Sequence, residues 1–226
     1  MENEMGKICA EGFTFFGKSN RLISHELKNI FAIISETMGL LDELVALSEQ
    51  GVKLTPARLR SMSDSLLEEV ERANAVIRCM NTFAHSVDEF IREVDLNEAV
   101  LLTIQLIKLN PISKAMKIEF MRDGAHMIYT SPFFLENLLY HALNFALSAA
   151  AAEKVITVSL FADGNHAGVE IAGIAPGGVK AFPTPQTELL VKTLGAEISS
   201  DGSSGKFQLV LPQKLPQGPV EALLAT

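Results

Sequence analysis

The residues best suited to chemistry are Ser24-His25-Glu26-Leu27-Lys28-Asn29. A histidine on the solvent face of a helix is open to a docking partner, and its unprotonated imidazole is a nucleophile near neutral pH. Such a ring can accept a phosphoryl group. Glu26, next in sequence, can hold the ring's other N–H or take up a proton. Asn29, one helical turn on, can aim a water or an acyl-phosphate oxygen at the same spot. His25, Glu26 and Asn29 are therefore the expected catalytic set, and their roles need short side chains on one helical patch.

A second pattern competes. Gly12-Phe13-Thr14-Phe15-Phe16-Gly17-Lys18-Ser19 matches the phosphate-loop pattern GxxxxGK[ST] letter for letter. Such a loop must follow a buried strand and bring backbone amides close to phosphates. Here eleven residues precede Gly12, three phenylalanines crowd the segment, and the chain lacks the repeated βα units of a parallel sheet. The match is read as chance, with Phe13, Phe15 and Phe16 expected to cap the end of a helical bundle.

The elements that must position His25 are helical from Ser19 to about Ile91. At 100° per residue, Ile23, Leu27, Ile30, Ile34, Thr37, Leu41, Leu44 and Val45 share one face, with His25, Asn29, Ala32, Glu36 and Glu43 opposite. Glu49, Gln50 and Gly51 break the pattern. Thr55 then offers an N-cap and Pro56 a first helical residue whose missing N–H costs nothing. The second helix carries Leu59, Met62, Leu66, Val70, Ala73, Ile77, Met80, Ala84, Val87 and Ile91 at 3-4 spacing, which predicts a rod roughly 50 Å long. A lone hairpin buries one side of each helix, so a dimeric four-helix bundle is the economical packing for residues 1–92. Asp42, Glu43, Glu49, Glu68, Glu69 and Glu71 flank it as solvated charge, and the small exposed Ala32 is the residue to test for a docking footprint.

After Glu93 the pattern alternates. β-rich runs fall at 117–121, 155–161, 168–172, 196–200 and 206–211, beside the turn pairs Asp123-Gly124, Asp163-Gly164 and Asp201-Gly202. They read as hairpins in a mostly antiparallel sheet. Helices are expected at 96–109, 131–151 and 187–194, giving an α/β sandwich over 93–212 with helices on one face, and an α+β fold class for the whole chain. Pro212, Pro216 and Pro219 mark 213–226 as a tail without fixed structure.

Composition narrows the setting. The 226 residues are 48% hydrophobic and 20% charged, enough for a sizeable core. A net charge of −8 opposes a bulk grip on nucleic acid or on anionic lipid. The two cysteines, Cys9 and Cys79, are far apart and form no metal-binding pattern, and Cys79 reads as a small bundle residue. The start of the chain lacks the basic and apolar regions of a signal peptide, and Phe133 to Ala152 carries Glu136, Asn137, His141 and Asn144, so it reads as a buried helix rather than a membrane span. A reducing cytoplasm is the expected location. His85, His126 and His166 each stand alone and read as structural or solvated.

The His25 stretch resembles the H-box of two-component sensor histidine kinases, which reads His-Glu-Leu-Lys/Arg-Thr/Asn and is usually followed by proline, where this chain has Ile30. The likeness runs through the hairpin and Val94-Asp95-Leu96-Asn97-Glu98 to the closing stretch from Gly195-Ala196-Glu197-Ile198 to Phe207-Gln208-Leu209-Val210-Leu211-Pro212. It departs from the family where nucleotide chemistry lies. Phe134-Leu135-Glu136-Asn137-Leu138-Leu139-Tyr140-His141-Ala142 is similar to the N-box, but His141 stands where the second, magnesium-binding asparagine is expected. Ile171-Ala172-Gly173-Ile174-Ala175-Pro176-Gly177-Gly178 resembles the Asp-x-Gly-x-Gly motif with Gly173 in place of the adenine-binding aspartate, a loss of about 1–3 kcal/mol for a buried amino group. The glycine-rich lid is missing, since Phe182-Pro183-Thr184-Pro185 leads almost directly into the next helix.

The resemblance thus implies a degenerate nucleotide pocket near Asn137, His141, Gly173 and Gly177, with His141 packed inside it. It implies a dimeric histidine phosphotransferase that relays phosphate between response-regulator aspartates through His25. No intrinsic cofactor is implied, the magnesium being held by the partner's receiver domain. An active kinase with a diverged ATP site and a non-catalytic receiver-binding scaffold are the alternatives.

Overall fold

The computed structural model describes residues 2–122, 124–201 and 204–215. The chain is α+β and divides into two compact units, residues 20–81 and residues 1–19 with 82–226.

The first unit is a helical hairpin built from α1 (Glu2–Glu49) and α2 (Pro56–Ala84), to which α1 contributes its residues from 20 onward. Leu47 and Ser48 carbonyls receive the N–H groups of Val52 and Gly51, and Gly51 at φ +93 closes α1 in the left-handed conformation that glycine adopts without steric cost. Thr55 caps α2, its Oγ1 accepting from the Arg58 N–H, with Pro56 first in the helix. Ile23, Ile30 and Leu44 are buried and Leu27, Ile34, Thr37 and Leu41 half-buried, as the periodicity predicts, while Val45 is exposed. On α2 the covered residues are Met62, Leu66, Ala73, Val76, Cys79 and Met80, whereas Leu59, Val70 and Ile77 face solvent. One neighbouring helix cannot cover an apolar stripe this wide.

The second helix is shorter than its seam suggests. It spans 29 residues, roughly 43 Å, and a 3-10 turn at His85–Val87 follows. Ser86 lies in that turn, its hydroxyl buried against the Glu136 carboxyl.

The second unit begins with the first turns of α1, which differs from the expected boundary of 1–92. Its strands are β1 (Arg92–Asp95), β2 (Lys117–Met121), β3 (Met127–Thr130), β4 (Val155–Asp163), β5 (His166–Ala172), β6 (Glu197–Asp201) and β7 (Lys206–Pro212). Its helices are α3 (Leu96–Lys108), the single turn α4 (Pro111–Lys114), α5 (Pro132–Ser148) and α6 (Pro185–Leu194). β1 and β3 pair alone, and the main sheet runs β2-β4-β5-β7-β6. All its neighbours are antiparallel except β2, which pairs parallel to β4 with Ile118 opposite Ile156. The expected hairpins are therefore β4–β5 and β6–β7, and β2 is not part of one. The strands β1 and β3 are too short to show a period of two in the sequence.

Caps place the helices. The Asp95 carboxylate accepts from the Asn97 N–H at 2.9 Å to start α3, and Thr184 with Pro185 starts α6 two residues before the expected position. α5 is the buried helix expected from its apolar composition, with Leu135, Leu138, Leu139, Ala142, Leu143 and Ala146 in the core. Alternating Ile156, Val158 and Leu160 of β4 and Leu209 and Leu211 of β7 face the same core. Residues 213–215 do not hang free: Leu215 donates to the Tyr129 carbonyl, Gln213 accepts from the Tyr129 N–H, and Leu215 is buried. The rest of the expected tail lies outside the described residues. Among those described, no helix is long and apolar enough to cross a membrane.

Gly12 to Ser19 are uninterrupted helix, not a phosphate loop. Phe15 does not cap the bundle. It is 1% exposed in an aromatic cluster with Phe83, Phe133 and Tyr140 at centroid distances of 5.2–5.5 Å, and Ile8, two turns earlier, is buried in the main α/β core. Phe16 stacks on Phe83 and Phe13 is largely solvated. The cluster wins because edge and offset ring contacts add to the area buried. Phe15→Ala is expected to cost about 3–5 kcal/mol, measured by denaturant unfolding. A loss below about 1 kcal/mol would mean that the first turns of α1 are not part of this unit.

Candidate functional site

In the hairpin unit, the helical pitch separates the expected set. Ile23, Glu26 and Ile30 point inward and His25 and Asn29 outward, because successive residues turn by 100°. The Asn29 Nδ2 atom lies 3.3 Å from His25 Nδ1, so these two side chains form one exposed patch. Glu26 is 4% exposed. Its Oε1 accepts from the Arg72 guanidinium, at 3.1 Å from Nε and 2.5 Å from Nη2. Arg72 also donates to both oxygens of Glu69, one turn back on α2. The two carboxylates beside it raise the already high pKa of the guanidinium, the Glu26 hydrogen bond contributing most. Glu26 thus serves the ion pair that joins the two helices, while Asn29 reaches the histidine ring.

Arg72 is the residue that sequence reasoning missed. Glu69 three positions before it is a visible helical pair, but the Glu26 contact spans 46 residues and leaves no local signal. Ala32 is exposed, and beyond it Ile33, Leu40 and Leu47 leave a second apolar line along α1.

The α/β unit gathers the positions expected to be a nucleotide pocket around α5. Asn137 is fully buried, and neither its amide oxygen nor its nitrogen has a partner among the described residues. His141 is half-buried and its Nε2 lies 2.8 Å from the Glu11 Oε1 in the first turns of α1. Gly173 sits at φ +98, and a Cβ there would stand 2.2 Å from the Val155 carbonyl oxygen. No aspartate fits that backbone. The strands of chain on either side are tied down, with the Ala151 N–H donating to the Gly173 carbonyl and the Ala175 N–H to that of Ala149. Gly177, at φ +80 with open space around it, starts a four-residue 3-10 turn, Gly178–Ala181, and α6 follows at Pro185. The connection is too short to hold a separate lid.

One further buried group lies next to Asn137. Glu136 receives the Ser86 hydroxyl at 2.6 and 2.8 Å. Burial pushes its carboxyl up to about 8, against the Ser86 hydrogen bond and the Arg92 charge, which lower it. Burial thus favours the protonated acid. His85 is exposed beside Asp88, and Cys79 is buried in the hairpin.

No family model and no curated protein matches the sequence. Among solved structures, the chain is similar to a bacterial phosphotransferase at 14% identity and a TM-score of 0.49, covering 88% of this chain and 95% of that one. It is similar to the histidine kinase AdeS of Acinetobacter baumannii at 16% identity and a TM-score of 0.45, over 84% of this chain and 98% of that one. The catalytic domain of the histidine kinase ThkA covers 56% of this chain and 99% of its own, at 15% identity and a TM-score of 0.46. All three likenesses are distant.

Two outcomes are expected here. Arg72→Ala removes the guanidinium hydrogen bonds to the buried Glu26 carboxylate and costs about 1–2 kcal/mol, discounted because the arginine is a third exposed, and a denaturant titration measures it. Glu136 has a folded pKa above its ordinary 4.5, so its contribution is complete below 4.5 and lost as pH rises through about 8. Unfolding free energy is expected to fall across that window, and Glu136→Gln to remove the fall. An unchanged pH profile in the variant would contradict the assignment.

Proposed function

We propose that the chain is a two-component histidine phosphotransferase, which takes a phosphoryl group from one response-regulator aspartate onto His25 and passes it to another without using ATP. The observation that carries this reading is the pairing of an outward histidine with Asn29, on the face of the hairpin away from the buried seam. An imidazole there meets an aspartyl phosphate in line, and the transfer needs positioning and charge neutralisation rather than covalent chemistry from other residues. The magnesium that neutralises the phosphoryl oxygens belongs to the receiver's acidic pocket.

The α/β unit supports the ATP-free part. The backbone at Gly173 leaves no room for an adenine-binding carboxylate, the Glu11 carboxylate takes the His141 ring, and the segment from Gly178 to Thr184 is too short for a phosphate-covering lid. A second copy of the chain suits the hairpin. Phe31, Met38 and Val45 at seven-residue intervals on α1, with Leu59, Val70 and Ile77 on α2, are exposed apolar residues that an isolated hairpin leaves wet.

The test is incubation of the purified chain with phosphorylated receiver domains, and separately with labelled ATP and magnesium. Acid-labile phosphate is expected from receivers only, and none on His25→Gln, whose size-exclusion profile stays that of the unmodified dimer. Label from ATP on His25 would replace the reading with a kinase. Receiver binding that survives His25→Gln without any label on the unmodified chain would replace it with a scaffold.

A further inference from the structure

We infer that the first turns of α1, up to Ser19, are an autoinhibitory latch: they lie over the α5 face that carries Asn137 and His141, and they leave it by unwinding locally while the main sheet stays folded. The latch belongs to the α/β unit alone and does not depend on the phosphate chemistry of His25.

Phe133, Asn137, Tyr140 and His141 share one face of α5, because residues three and four apart on a helix are neighbours. Three residues of α1 are seated on that face. Glu11 Oε1 lies 2.8 Å from His141 Nε2, and a Cβ on Gly12 would stand 3.1 Å from the Phe133 ring. Phe15 packs against the rings of Phe133 and Tyr140, at centroid distances of 5.5 and 5.2 Å. Asn137 lies between these positions on α5 and is fully buried, with neither atom of its amide partnered among the described residues. The stretch that matches the phosphate-loop pattern, Gly12 to Ser19, thus has a different use, which is to close over α5.

Opposing forces act on this closure. Ile8 and Phe15, 3% and 1% exposed, hold the turns down by apolar burial, while the Glu4–Lys192 pair to α6 is exposed and adds little. The outer side is bare: Cys9 faces solvent and Phe13 is 79% exposed, so the helix is held along one side. Gly6, Gly12 and Gly17 all fall in these turns, and glycine is the poorest helix former after proline. Open space surrounds the Cβ positions of Gly6 and Gly17, so packing does not call for glycine at either. Unwinding also gives the Asn137 amide to water, relieving an enclosed polar group of its missing hydrogen bonds. The leucine face of α5 and the sheet beneath it carry no such opposing balance, and the latch is the part that opens first. While it is closed, Asn137 and His141 are kept from any outside ligand.

The experiment uses the full chain in rising denaturant, with two readouts. Hydrogen exchange by mass spectrometry follows residues 4–19 and the strands β4, β5 and β7, and acrylamide quenching of tyrosine fluorescence follows the α5 face. The chain has no tryptophan and two tyrosines, so Tyr129→Phe leaves Tyr140 as the sole emitter. Residues 4–19 are expected to exchange, and Tyr140 to become quenchable, at denaturant concentrations where the three strands are still protected. Gly17→Ala adds helix propensity without a clash and is expected to lower the open population about fivefold. Gly12→Leu forces a side chain against Phe133 and is expected to raise it about tenfold. Opening of residues 4–19, Tyr140 and the strands together, at one denaturant concentration, would make the first turns fixed core and overturn the inference. Exchange of residues 4–19 that leaves Tyr140 unquenched would show that they do not cover this face, and it overturns the inference too. An open population unchanged by Gly17→Ala contradicts unwinding as the way the latch opens.

Discussion

The Glu26 carboxylate lies inside the hairpin against the Arg72 guanidinium, and the outward placement of His25 depends on this contact. An ionised carboxylate taken out of water costs several kcal/mol unless a charge and hydrogen bonds meet it. That cost fixes the rotation of α1 about its axis at this level. Since neighbouring residues differ by 100°, turning Glu26 inward turns His25 outward. Glu69 on the other side of Arg72 holds the guanidinium in place and shares its charge. The hydrophobic seam of Ile23, Ile30 and Ala73 gives the hairpin most of its stability, but apolar side chains tolerate small rotations that a forked ion pair does not.

The α/β unit is held together by one apolar core. α5 has a core face of leucine and alanine that covers the sheet, and that packing has no need of nucleotide. The His141 ring meets the Glu11 carboxylate of the first turns of α1, and Gly173 is a place where two backbone segments approach too closely for any side chain. Burial favours the neutral form of Glu136, and Asn137 beside it on α5 is fully enclosed.

Much of the architecture was legible in the residues. The 3-4 spacing of Ile23, Leu27, Ile30 and Ile34 gave the first helix and its inner face, and Thr55 with Pro56 gave the start of the second. All five strands of the main sheet were visible because their apolar runs end at turn residues. The short strands β1 and β3 were not, and neither was the parallel pairing of β2 with β4, since a parallel partner leaves no turn between the strands. For the candidate site, the exposure of His25 and the nearness of Asn29 follow from helical spacing.

What the sequence determined by itself is whatever repeats locally: the helical period, the Thr55 cap and the outward histidine. What only the tertiary structure decided are the contacts between residues far apart in the chain. Arg72 at Glu26, Glu11 at His141, Ser86 at Glu136 and the assignment of Phe15 to the α/β core are all of this kind. Charge and apolarity say that a side chain needs a partner, but several partners of each type exist, and only the folded packing selects one.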